Sequence, residues 1–375
     1  MKIVILLSRI DQTGMTTNTL DLVSGLIKEN QDVYLITGGV IEDNNPRLDS
    51  IYEEFKRLGT FIRVFKTPKG SRITRTVTSL LSVLRIMSYI IKIKPNVIHA
   101  ESPYMSFIPW LMRKKFVSTL HVNDFIKSFK YKNASHLIAI SKETKQYAID
   151  LFGYKKENIT IVNHGVSKSF SISMSEVEKN NFKQKNNIPL NKLLIGFVGS
   201  IEKRKGHDLL LKAVESLDRI LKDKIHVIFL GSSKDNTTRP WLDNLIESTN
   251  TTSLVSCFDY QDPKPFYNIF DIFVLPSRLE GFGLVVIEAM MSKSCAIRSD
   301  TEGAYDQINH GEDGFIFKNN DYQSLAALLK LNIEDENLRL KIARKGQEKA
   351  LKKFSIEAMT KQTINVYKKL ASVPH

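Results

Sequence analysis

The chain opens on an unbroken apolar run, Ile3 to Leu7, behind one lysine. Short continuous runs of this kind, rather than alternating ones, mark strands buried on both faces. They recur at Asp32–Thr37, 61–65, 96–100, 116–120, 137–140 and 159–162. Between them the apolar positions return at helical spacing. Leu20, Val23, Leu26 and Ile27 predict a helix over 19–29, and a broad apolar face predicts a long one over 76–93. Gly38-Gly39 and Pro95 punctuate the runs. Buried strands separated by helices imply parallel β-α-β units in a doubly wound sheet.

At 167–190 the pattern breaks: Ser, Asn, Lys and Glu dominate until Pro189. This stretch reads as a linker, dividing the chain into domains 1–180 and 190–354. A second series then follows, with strands at Leu193–Val198, 227–230, 254–258, Ile272–Leu275 and 295–298. Its helices are expected over 207–221, 241–248, Leu284–Met291 and 321–331, with two more closing the chain. The halves are alike in architecture but not in sequence. Two such sheets facing each other create a cleft at the carboxyl ends of their strands, where open α/β sheets bind ligands.

A length of 375 residues, 42% hydrophobic and 25% charged, suits two globular domains. Met1-Lys2 leads straight into the first strand, so no signal peptide is expected. No uninterrupted 18-residue apolar run occurs, so no membrane-spanning helix is expected either. Cys257 and Cys295 form no motif and read as small buried thiols of a reducing compartment. The net charge of +14 changes the picture more. Between Lys56 and Lys132 stand sixteen Lys or Arg and two acids, Glu101 and Asp124, a surplus that equals that of the whole chain. Such a block attracts an anionic partner: an anionic membrane, an anionic acceptor or a nucleic acid.

Candidate chemistry concentrates in "PSRLEGFGLVVIEAM", residues 276–290. A strand ends at Pro276, and a loop with Gly281 and Gly283 leads into a helix. Two glycines let backbone N–H groups approach a ligand, and a helix start carries partial positive charge; together these suit a phosphate. Glu280 in the loop and Glu288 in the helix can each accept hydrogen bonds from hydroxyl pairs. Phosphate between two sets of hydroxyls is the layout of a nucleotide-sugar. The plainer alternative makes Glu280 a helix cap and Glu288 a surface residue.

The spacing Glu280-x7-Glu288 resembles the E-x7-E signature of the retaining glycosyltransferases of family 4, which have the GT-B fold of two Rossmann-like domains facing a cleft. The resemblance extends along the chain: "GFVGSIEKRKGHDLLLKA" (196–213), "ASHLIAISKETKQYAI", "ITIVNHGV", "GAYDQINHGEDGFIF" and "FSIEAMTKQTINVYKKL" are similar to successive family segments. It implies that the closing helix, within 355–375, packs back on the first domain. It implies that Lys205 pairs with the donor diphosphate, with Arg204 as second cation, since cations stabilise a departing nucleoside diphosphate. Glu280 would hold the transferred sugar and Glu288 the ribose. Backbone N–H groups of Gly281, Phe282, Gly283 and Leu284 would meet phosphate or sugar. Gly14 would let the first domain approach the diphosphate, and His121 matches the family's active-site histidine. Departures from the family pattern are Thr13, Ser200, Glu101, Lys293-Ser294-Cys295-Ala296 and Glu302-Gly303, while Asp306 would be the family's frequent acidic residue; the departures bear on sugar preference.

The chain has no Asp-x-Asp and no His/Cys cluster, so neither a metal nor another cofactor is expected. The resemblance implies front-sided transfer, in which the donor phosphate helps deprotonate the acceptor. The expected donor is a UDP-sugar, and the expected acceptor a lipid-linked or anionic cell-surface glycan. The basic stretch 56–132 would lie on an anionic membrane, placing the enzyme in the cytoplasm at the inner membrane face. An NAD-dependent oxidoreductase would need Gly-x-Gly-x-x-Gly, and "LSRIDQTGMTTN" has one glycine. A nucleic-acid-binding protein, or a membrane-binding paralogue without transferase activity, is the other alternative; no aromatic stacking platform supports nucleic acid.

Overall fold

The computed structural model describes residues 1–11, 14–40, 46–67, 70–122, 131–233 and 237–372. Thr13, Asp124 and most of "KSFKYK" (127–130) lie outside the described residues. The chain forms two compact units, Met1–Gly165 with Ile356–His375, and Val166–Ser355.

The first unit is built on β1 (Lys2–Leu7), β2 (Asp32–Thr37), β3 (Phe61–Val64), β4 (Val97–Ala100), β5 (Val117–Leu120), β6 (His136–Ala139) and β7 (Ile159–Ile161). These make one parallel sheet in the order β3-β2-β1-β4-β5-β6-β7. Ile3 to Leu7 are fully buried, as the continuous apolar run requires when helices cover both faces. One cover is the Gly14–Lys28 helix, against which the closing Ile356–Ser372 helix packs. On the sheet's other layer, the Arg72–Ile93 helix packs Ile86 and Ile90 into a cluster with Val4, Leu6 and Ile98. Ser71 caps its start, its hydroxyl accepting from the Thr74 N–H.

The second unit holds β8 (Leu193–Val198), β9 (Ile225–Leu230), β10 (Val255–Phe258), β11 (Ile272–Leu275), β12 (Cys295–Ser299) and β13 (Phe315–Phe317). Its parallel sheet runs β10-β9-β8-β11-β12-β13. Cys295 is buried and Cys257 half-buried, both free. Burial pushes their thiols up to about 12 and about 11, so both stay protonated at neutral pH.

Two expectations are corrected. First, the linker expected at 167–190 is structured and belongs to the second unit, so residues 166–180 leave the first domain. A helix spans Glu176–Lys185, started by a capping box in which the Ser175 hydroxyl accepts from the Glu178 N–H and Glu178 accepts from the Ser175 N–H. Phe182 then stacks edge-on against Phe266, and Val166 N–H donates to the Phe354 carbonyl. Second, the helix expected over 207–221 is two, His207–Glu215 and Arg219–Lys222, because Asp218 caps a new start. The Arg72–Ile93 helix is long and apolar enough to cross a membrane by length and composition, with a window of mean hydropathy 1.5, yet it packs Ile86 and Ile90 into the first unit's core. Scattered charged residues had concealed its apolar length from a search for an unbroken apolar run.

Candidate active site

In the second unit, β8 and β11 are neighbours at the point where strand order reverses. Loops after such strands rise together from the carboxyl edge of the sheet. After β8 the chain makes a 3-10 turn at Lys203–Lys205 and enters the His207–Glu215 helix; after β11 comes the loop 276–283. Gly206 has φ +77°, and a Cβ there would stand 2.0 Å from the Pro276 carbonyl oxygen, so only glycine lets the turn lie against the loop. The Arg278 N–H donates to the Arg204 carbonyl at 2.7 Å. The Arg278 guanidinium grips Asp208 with two hydrogen bonds of 2.8 and 2.7 Å and donates to the Lys203 carbonyl at 2.7 Å. Burial alone would push the Asp208 carboxyl up, but Arg278 outweighs it and holds the carboxyl below its ordinary range.

This stitching brings the two sequence-selected side chains together. Lys205 Nζ donates to Glu280 Oε2 at 2.7 Å, the two side chains being 12% and 13% exposed. Arg204 turns aside: its Nε donates to Glu202 at 2.8 Å, and its side chain is exposed. Gly283 adopts φ 76° before the Leu284–Met291 helix and provides no side-chain cap to its first turn. Glu288 lies half-buried one turn into that helix, where the Tyr267 hydroxyl donates to its Oε2 at 2.8 Å. Burial first, and the Glu288 charge next, push the Tyr267 phenol well up, so it remains a donor.

Arg298 was not singled out from the sequence, and it holds this loop from beneath. It is completely buried at the end of β12. Its Nη1 donates to the Phe282 carbonyl at 3.1 Å and to Gln307 Oε1; its Nη2 donates to Thr301 Oγ1 and the Glu302 carbonyl, both at 3.0 Å. One cation thus fastens 282–283 to 301–307. The only sequence signal was a charged residue inside an apolar strand.

In the first unit, His121 follows β5 and Glu101 follows β4. His121 Nε2 meets Glu101 Oε2 at 2.7 Å, and His121 Nδ1 meets His164 Nε2 at 3.1 Å. Both ring nitrogens of His121 are therefore engaged, which leaves it poorly placed to act as a free base. His99 Nε2 lies 3.4 Å from the other Glu101 oxygen, while its Nδ1 meets the Tyr367 hydroxyl of the closing helix at 2.7 Å. Burial works against the Glu101 charge, yet His99 and the hydrogen bond from His121 hold its carboxyl down at about 2. Burial pushes His164 down to about 3 and lowers His99, so both are neutral at pH 7. Glu101 had been noted only as a departure; its partners became visible once β4, β5 and the loop after β7 lay side by side. At Gly14 a Cβ would meet nothing within 4 Å, so the surrounding fold does not itself require the glycine. Among the described residues no group of three or more His, Cys, Asp or Glu is placed to hold a metal.

Two parallel sheets with these strand orders are the GT-B architecture. A glycosyltransferase from Rickettsia africae superposes with a TM-score of 0.85 over 100% of this chain and 99% of its own, at 20% identity. The Anabaena HepE protein, solved in complex with UDP, does so at 0.83 over 98% and 100%, at 17% identity. Residues 178–349 match the family model "Glycosyl transferases group 1", and residues 13–170 match "Glycosyltransferase Family 4". The chain belongs to these glycosyltransferases. A similar curated relative is the capsular polysaccharide biosynthesis glycosyltransferase CapM of Staphylococcus aureus. It is 28% identical over 313 residues, 77% of this chain and 81% of CapM.

Proposed function

We propose that the protein transfers a sugar, with retention of anomeric configuration, from a UDP-sugar to a lipid-linked or anionic glycan acceptor of the cell surface. The observation that carries this is the Lys205–Glu280 pair at the switch point of the second sheet. A cation suited to a diphosphate and a carboxylate suited to a sugar hydroxyl stand 2.7 Å apart, beside a helix start without a side-chain cap. UDP is the ligand named for HepE, and capsular polysaccharide biosynthesis is the process named for CapM; both support the donor and acceptor classes.

In this reading the donor inserts between the paired side chains. Lys205 moves to the diphosphate, with Arg204 released from Glu202 as a second cation. Glu280 accepts from the sugar, and Glu288 from the ribose. The C1–oxygen bond to the diphosphate breaks as the acceptor oxygen bonds C1 on the same face. The acceptor proton passes to the departing phosphate oxygen. Negative charge grows on the leaving group, so cations and helix N–H dipoles lower the barrier without a metal ion. His121, fixed by Glu101 and His164, shapes the acceptor side rather than removing the proton. The enzyme works in the cytoplasm, peripheral to the inner membrane face.

The test is UDP release from a panel of UDP-sugars, with and without EDTA, by wild type and Glu280→Ala, with the product anomer read by NMR. Chelator-insensitive release by wild type alone, with retained configuration, supports the reading. Failure of UDP to shift the thermal midpoint, together with no release, refutes it.

A further inference from the structure

The Arg72–Ile93 helix keeps one face in the core and turns another to solvent. Ile73, Val77, Leu80, Leu81, Leu84 and Ile91 are 52 to 78% exposed. At 100° per residue they fall on one stripe, opposite Ile86 and Ile90. An apolar stripe along some 30 Å of helix is costly to leave in water. Arg85 and Lys92 flank it, with Arg72 and Arg75 at its start, and all four are exposed. Beside it pack Phe107–Leu111, where Trp110 and Leu111 are exposed and Lys132 Nζ lies 4.4 Å above the Trp110 ring. Where the helix ends, a cavity of about 590 Å³ opens, lined among others by Ile91, Lys94, Met112, Lys114, Lys115 and Leu370. Apolar side chains and three lysines share its lining. From 58 to 123 the sequence has one acid, Glu101, which is fully buried beside His99 and His121.

Deepening the membrane reading above, we infer that this face is an anionic-lipid docking site. The apolar stripe lies among acyl chains, and the cavity receives a phosphate-bearing lipid headgroup between Lys94 and Lys114. The occupant is argued from charge complementarity. A second copy would bring the same cations against these. A membrane span would strip Ile86 and Ile90 from the sheet, so the helix lies on the bilayer rather than through it. Basic residues near an anionic leaflet add attraction to apolar insertion.

The test is co-sedimentation of the full chain with vesicles of phosphatidylglycerol and phosphatidylcholine in equal parts, and with phosphatidylcholine alone. Expected is sedimentation with the first only, reversed by high salt or carbonate. Leu80→Glu with Leu84→Glu, and separately Lys94→Glu with Lys114→Glu, should each weaken binding by at least about tenfold. All four positions are exposed, and UDP thermal shifts should match wild type. No sedimentation with phosphatidylglycerol, undiminished binding by either double variant, retention after carbonate, or a lipid-free dimer abolished by Leu80→Glu would overturn the inference. UDP binding separates the two readings: vesicle binding without a UDP shift sinks the transferase proposal alone, and a UDP shift without vesicle binding sinks the docking face alone.

Discussion

If the Lys205–Glu280 pair is the closed form of a donor site, removing its two members must affect UDP unequally. Both side chains are mostly buried and 2.7 Å apart. Such a pair sits between exposed pairs, worth under about 1 kcal/mol, and fully buried ones, whose breaking costs several. Lys205→Met strands a carboxylate and should destabilise the second unit by about 2 kcal/mol. It also deletes a charge-assisted contact to the diphosphate, weakening UDP by roughly a hundredfold. Glu280→Ala releases Lys205, so UDP no longer has to open the pair. UDP should then bind as tightly as to wild type or up to about fivefold tighter, about 1 kcal/mol, while sugar transfer is lost. Isothermal titration with UDP and turnover of the UDP-sugar measure both. Equal weakening of UDP by the two variants would refute the assignment of phosphate to Lys205 and sugar to Glu280.

Arg298→Met removes the buried donor of the Glu302 carbonyl and of Gln307 Oε1, leaving Gln307 Nε2 to hold the Phe282 carbonyl. It should cost about 3 kcal/mol in the second unit's stability and weaken UDP-sugar affinity, read by denaturant unfolding and titration. His207 is fully buried beside Phe197, Phe229 and Trp241, and burial pushes it down to about 4. A histidine held below its unfolded value contributes stability above that value and loses it as pH falls from about 6.5 toward 4. His207→Phe should therefore remove about 2 kcal/mol of the acid destabilisation at pH 5, seen as a flatter dependence of unfolding midpoint on pH. Glu101→Gln keeps the side-chain volume and removes the charge holding His121. Turnover should fall about tenfold with UDP affinity unchanged, and a matching loss of UDP affinity would count against a role confined to the first unit.

Most strands were legible because a buried parallel strand is an unbroken apolar run whatever its neighbours do. β1, β2, β8 and β11 lie where their runs begin and end, and the Leu284–Met291 helix likewise. Glu280 and Glu288 were singled out by glycine spacing and residue type, and Lys205 by the family resemblance; folding sets Lys205 against Glu280. The helix at Glu176–Lys185 was missed although Ser175 and Glu178 announced its start; its polar composition had suggested a linker. β13, three residues long, is too short to show a pattern of its own. Other features were decided by tertiary structure alone. Arg298 meets Phe282 across sixteen residues, and His99 meets Tyr367 across 268, through folding that no local spacing encodes. Whether an apolar helix face enters the core is settled in the same way. The Arg72–Ile93 helix has more apolar sides than the first sheet can cover, and only packing determined which stripe faces solvent.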